Sequence, residues 1–114
     1  MKLGFHHVPW AELAATDEAL RAKCKLHLHR LANAIPGVDS GLSTEKLTTR
    51  ITEIKIKWNK QEFRFTFCRL DSQIFILSFF QKKTRKTPKH EIDLAESRMK
   101  DIQLDRAEIY NGLN

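Results

Sequence analysis

Four stretches of the chain carry a regular alternation of apolar and polar positions, and they predict its architecture. Leu20, Cys24, Leu28, Leu31 and Ile35 recur at spacings of three and four, which makes one buried stripe on a helix. Thr16 is placed to cap that helix, Asp17 and Glu18 fall where its dipole favours anions, and Pro36-Gly37 ends it. In "ITEIKIKW", Ile54, Ile56 and Trp58 share one face of a strand and Glu53, Lys55 and Lys57 the other. In "EFRFTFCR", Phe63, Phe65 and Phe67 oppose Arg64, Thr66 and Cys68. "QIFILSFF" is apolar on both parities, as an interior strand covered on both faces would be. The links "NKQ" and "DS" are short enough for hairpins, so the three strands form an antiparallel meander.

The ends are read from weaker signals. Phe5, Val8 and Trp10 alternate as a short strand, and "GVDSGLSTEK" reads as a loop. A last helix begins near Pro88 and buries Ile92, Ala95, Met99 and Ile102, with another helical turn after Asp105. The order of elements gives an α+β fold in a single domain over 1–114: N-terminal helix, twisted antiparallel sheet, C-terminal helix. The aromatic strand faces meet the helices, and the opposite face exposes Lys55, Lys57 and Arg64.

Charge changes this picture. Twenty Lys and Arg stand against fourteen Asp and Glu, for a net +6. That surplus points to an anionic partner: nucleic acid first, then an acidic protein, then a membrane surface. No apolar run approaches a membrane span of roughly 18 residues, and the opening "MKLGFHHVPW" has no apolar signal-peptide core. With two cysteines, Cys24 and Cys68, in no CxxC pattern, the expectation is a soluble cytoplasmic protein with reduced core thiols.

Most catalytic chemistry finds no support. His6-His7 and His27-x-His29 have the wrong spacing to converge on a metal, and no HxxxH or CxxC closes a site. There is no GxSxG elbow, P-loop or GxGxxG, so neither metal nor nucleotide cofactor is expected. The basic turn is different. Between Gln81 and His90 lie Lys82, Lys83, Arg85, Lys86 and Lys89, with no acidic residue until Glu91. Cations at a helix N-terminus oppose its dipole, but a bound phosphate would reverse the sign by accepting from the free N–H groups and the cations together. Nucleic-acid binding and a solvated, solubilising loop are the two readings of this turn.

The segment "FFQKKTRKTPKHEIDLAESRMKDI" resembles the signature of the phage-derived, HigB-like toxins of the RelE/ParE superfamily. It supplies Phe80, Lys82, Lys83, Thr84, Lys86, Thr87, Pro88, Glu91, Ile92, Ala95, Arg98 and Asp101 without a gap. Upstream, Glu53-Ile54-Lys55 stands where the family has Glu-Leu-Arg, and Phe63-Arg64 where it has Tyr-Arg. The resemblance covers about Leu47 to Asp101. It implies a RelE-like fold and a toxin of a type II toxin–antitoxin pair, cleaving mRNA on the ribosome and neutralised by an antitoxin, often a helix-turn-helix protein. It implies metal-independent attack of a ribose 2′-OH on phosphate, with Arg64, Lys82 and Lys83 as catalytic residues. Lys55, Lys57, Arg85, Lys86, Lys89 and His90 then hold the RNA, and His90 is also a candidate for proton transfer. Thr87, Glu91 and Arg98 are read as a cap, a helix-terminal charge and a helix-face ion pair. Two other readings are a superfamily toxin that blocks a protein such as DNA gyrase, and a non-catalytic RNA-binding module.

Overall fold

A computed structural model describes residues 1–112. It places the three strands of the meander where alternation predicts them and adds three more. The elements are β1 (Lys2–His6), α1 (His7–Ala14), α2 (Glu18–Ala32), β2 (Ser43–Lys46), β3 (Thr52–Trp58), β4 (Gln61–Leu70), β5 (Gln73–Gln81), α3 (Lys89–Gln103) and β6 (Ile109–Asn111). They form an α+β fold around a six-stranded sheet in the order β2-β3-β4-β5-β1-β6. Every pairing is antiparallel except β1 with β5.

The hairpins close on two residues each. Asn59-Lys60 and Asp71-Ser72 all have positive φ. This left-handed pair is the turn whose twist matches that of the flanking strands. Register then fixes the faces. Ile54, Ile56, Phe63, Phe65, Phe67, Ile74, Ile76, Leu3 and Phe5 line one face, where Leu13 of α1 and Leu20, Cys24, Leu28 and Leu31 of α2 complete the larger core. Phe79 extends it, stacking on Phe65 and Phe63 at centroid separations of 4.5 and 5.8 Å. On the other face Ile51, Cys68, Leu77, Ala95 and Met99 form a smaller core beneath α3. Between Thr66 and Phe67 the β4–β5 register slips. Leu77 is the extra residue, since Ser78 pairs with Thr66 and Ile76 with Phe67.

Several expectations at the ends are corrected. Of the strand expected over Phe5 to Trp10, only Phe5 and His6 are strand: the chain leaves β1 at His6 and turns into α1. Pro9 lacks an N–H and fits a first helical turn, and His6 Nδ1 accepts from the Val8 N–H at 3.2 Å, capping the helix. Asp17, not Thr16, caps α2, with Oδ1 accepting from the Leu20 N–H at 2.9 Å; the Thr16 hydroxyl donates to the Leu13 carbonyl. The helix stops at Ala32, leaving Ile35 65% exposed, because the residue before Pro36 is steered out of the helical region. Ser43–Lys46, read as loop, is an edge strand fully exposed and held only by pairing with β3. The tail forms β6 rather than a helical turn, secured by Tyr110 stacking on Trp10 at 5.3 Å. In α3, Ala95 and Met99 are buried, whereas Ile92 and Ile102 are half-buried.

Candidate functional site

Strand β5 and helix α3 meet at the basic turn, residues 82–88, and α1 approaches the same end of the molecule. Between them lies a cleft of about 520 Å³ whose walls include Glu12, Arg64, Phe80, Lys82, Lys83, His90 and Glu91. Its floor follows from strand geometry. Arg64 pairs with Phe80 across β4–β5, so an alternation that buries Phe63 and Phe65 in the larger core turns Arg64 toward α3.

Arg64 does not lie open beside Lys55 and Lys57 as expected; it is 2% exposed. Its Nε donates to Glu62 Oε2 at 2.9 Å, Nη1 to Thr87 Oγ1 at 2.9 Å and Nη2 to the Arg85 carbonyl at 3.1 Å. Glu53 is fully buried below it, with Oε1 3.5 Å from Nη1 and Oε2 accepting from the Thr87 hydroxyl. Glu53 Oε1 makes no hydrogen bond, so the ion pair alone offsets its desolvation. Thr87 therefore does not cap α3, whose N-cap is Pro88 with no side-chain bond. Its hydroxyl links Glu53 to Arg64 and pins the end of the basic turn onto the sheet. The start is pinned by Lys82 N–H donating to the Glu62 carbonyl at 2.8 Å.

Lys82 and Lys83 contrast with Arg64. Both are exposed on the cleft wall, and no carboxylate among the described residues lies within ion-pair distance of either. Lys82 also borders an adjacent cleft of about 610 Å³ with Lys57, so these two cations lie along one surface. Of the other expected RNA contacts, His90 lines the first cleft, its Nε2 3.4 Å from Glu91 Oε1. Lys55 pairs with Glu45 at 3.5 Å and Lys89 with Asp93 at 2.9 Å. Arg85 and Lys86 are exposed on the outer side of the turn and are not part of the cleft wall.

Glu12 is a residue the sequence reading missed. It lies far from the signature, on a helix whose first residues were expected to be a strand, and no local pattern marks it. Glu12 is exposed on the cleft wall, and partial burial of its carboxyl raises the pKa; Arg98 acts in the opposite direction, and Glu91 adds to the rise. Glu91, read as a helix-terminal charge, faces the same cleft. Arg98 is not a helix-face ion pair: its Nη1 donates to the carbonyl of the bulge residue Leu77 at 2.9 Å. Burial lowers its pKa, against Glu12 and Glu91. His6, at the root of α1, is held down to about 4, chiefly by burial and then by His7 and Arg98, with Asp101 opposing.

The remaining groups offer less chemistry. Burial pushes the Cys24 thiol up to about 12 and Cys68 to about 11, which removes the thiolate a nucleophile needs. Among the described residues no three His, Cys, Asp or Glu side chains gather as metal ligands, and no helix is long and apolar enough to cross a membrane.

The profile of the family described as phage-derived protein Gp49-like (DUF891) matches residues 11–100, most of the chain and all of the basic turn. No curated protein matches the sequence. With the matched region spanning α1 through most of α3, the chain belongs to the phage-derived Gp49-like family, a toxin-like family of the RelE/HigB-like toxin–antitoxin type.

Proposed function

We propose that the protein is the toxin of a type II toxin–antitoxin pair and cleaves mRNA in the ribosome. The observation that carries this reading is the cleft at the β5–α3 junction. There the unpaired Lys82 and Lys83 stand beside two groups able to move protons, Glu12 and His90. A polyanion would satisfy the lysines, and its phosphate would sit between cations and proton carriers.

In this reading the ribose 2′-oxygen attacks the adjacent phosphorus and the bond to the 5′-oxygen breaks. The products are a 2′,3′-cyclic phosphate and a free 5′-hydroxyl. Lys82 and Lys83 stabilise the extra negative charge of the phosphorane, a type of contact whose removal typically costs about 10²–10³ in rate. His90, whose Nε2 lies 3.4 Å from Glu91 Oε1, takes the 2′-OH proton. Glu12, on the opposite wall of the cleft, is the group placed to pass a proton to the leaving oxygen. Arg64 enters as a positioning residue. With all three guanidinium nitrogens engaged inside the protein, it fixes the turn that presents the lysines rather than meeting the phosphate. Lys57, Lys55, Arg85, Lys86 and Lys89 attract and position the RNA backbone. A helix-turn-helix antitoxin that covers this basic surface would silence the toxin.

Induced expression in a bacterial host tests the proposal. Growth arrest with translation-dependent mRNA cleavage, lost in Lys82→Ala and Lys83→Ala, is expected. Arrest with intact mRNA and double-strand DNA breaks would instead assign a gyrase-type protein target. Salt-sensitive RNA affinity without toxicity would leave only an RNA-binding module.

A further inference from the structure

A second concentration of unpaired positive charge lies at the opposite end of the sheet, where the signature residues do not reach. Lys46 ends β2, Arg50 projects from the turn between β2 and β3, and Arg69 lies near the end of β4. The three converge on a cleft of about 360 Å³ that also presents the hydroxyls of Thr49 and Thr52 and has no carboxylate in its wall. Among the described residues none of these cations has an ion-pair partner. Neighbouring acids are already engaged: Glu45 with Lys55, and Glu96 accepting from the Thr48 hydroxyl at 3.1 Å.

The cleft is also held in shape. Thr48 Oγ1 accepts from the Arg50 and Ile51 N–H groups at 3.2 and 3.0 Å, and Leu47 and Thr48 N–H both donate to the Ile51 carbonyl. Ile51 is fully buried in the smaller core, so the turn that carries Arg50 is anchored at its base. Arg69 packs its guanidinium over the Phe67 ring at 5.4 Å, which orients it while leaving its N–H edges available. Cations presented from fixed backbone lose less freedom on binding an anion than those on a loose loop.

We infer that the Lys46–Arg50–Arg69 cleft is a second phosphate-binding site, which holds the backbone of the same RNA strand that enters the Lys82–Lys83 cleft. This rests on the proposed RNA cleavage and extends it. Arg64, beneath the first cleft, and Arg69, at the second, are five residues apart on β4, about 17 Å along the strand. The odd spacing turns them to opposite faces, so an RNA joining the two clefts follows the surface round the sheet over a longer path. A single strand several nucleotides long spans that gap, whereas a shorter one reaches only one cleft. The second site then contributes affinity and register without taking part in the chemistry.

The test uses the full-length chain and single-stranded RNAs of about two and about twenty nucleotides, chosen to reach one cleft or both. Affinity is measured as a function of salt for the wild type, Arg50→Ala/Arg69→Ala, and Arg50→Lys/Arg69→Lys. Each lost phosphate contact lowers the slope of log affinity against log salt by about 0.7. The double alanine variant should therefore lose roughly 1.4 of slope on the long RNA and none on the short one, and the double lysine variant should recover it. Both arginines are exposed, so circular dichroism should show the fold unchanged. An unaltered slope on the long RNA overturns the second site while the RNA reading stands. If that variant keeps its RNA slope but loses its antitoxin, the cleft belongs to a protein partner and the inference is wrong. Absence of salt-dependent binding by the wild type to either RNA removes the RNA reading itself, and this inference with it.

Discussion

The two sides of the sheet are covered by opposite means. On one, Phe63, Phe65, Phe67 and the α2 stripe make an apolar core that asks only for shape and volume. On the other, α3 covers a small apolar cluster, and beside it Glu53, Arg64 and Thr87 fill the remaining space with charge. A buried ion pair is a weak source of stability beside well-packed apolar side chains. Its use here is geometric, because it fixes the turn that carries the unpaired lysines. A positive residue in this molecule thus has one of two jobs. Arg64 spends its hydrogen bonds inside the protein, and Lys82 and Lys83 keep theirs for a ligand.

The comparison breaks most visibly if half of the buried pair is removed. Glu53→Ala leaves the buried guanidinium with only Glu62 as counter-charge and empties the space beneath it, and should cost up to about 3–5 kcal/mol, read as a fall in the denaturant midpoint. Glu53→Leu/Arg64→Met should be less destabilised than either single change, the strong coupling expected of contacting residues. Phe65→Ala on the apolar face should cost about 3–5 kcal/mol through a cavity, and no partner substitution at Arg64 should rescue it.

Acid should act next, through His6. Its pKa is lower in the folded protein than in the unfolded chain, so the stability it contributes is fully present above about pH 6.5. That stability is lost as pH falls toward the folded value of about 4. Protonation adds a hydrogen at Nδ1, which removes the acceptor that caps α1, and charges the ring beside His7 and Arg98. The expected loss across that window is up to about 3 kcal/mol, and a His6→Asn variant should flatten the pH profile of the thermal midpoint.

Smaller effects sharpen the contrast. Ser72 occupies a left-handed position at φ 61°, so Ser72→Gly should raise stability by about 0.5–1 kcal/mol in chemical denaturation. Lys82→Ala and Lys83→Ala should move stability by no more than about 0.5 kcal/mol, since neither side chain is buried or paired.

The parts of the fold legible in the sequence are those where one strong period dominates. The three central strands and the body of α2 follow from alternation and from the Leu20–Cys24–Leu28–Leu31 stripe. The edges were not legible because their stability lies in pairing: Ser43–Lys46 has no apolar rhythm, and Ile109–Asn111 depends on β1 and on Trp10. The basic turn announces its location by composition and by its signature. Which cations are free could not be read there. Arg64 and Lys57 sit on the same face of the sheet by parity and register, yet only the three-dimensional closeness of Glu53, Glu62 and Thr87 removes Arg64 from solvent. Glu12 was invisible for the same reason, brought to the cleft by a helix whose cap is a histidine.

The most direct test adds the purified chain to a translating extract with a defined mRNA and examines the ends of the fragments. The account predicts cleavage that requires translation, leaves 2′,3′-cyclic phosphate and 5′-hydroxyl ends, and stops when a 2′-deoxy nucleotide replaces the one before the cut. It also predicts about a 10²–10³-fold slower rate for Lys82→Ala. Uncut mRNA, or wild-type rates from a folded Lys82→Ala/Lys83→Ala protein, would contradict it.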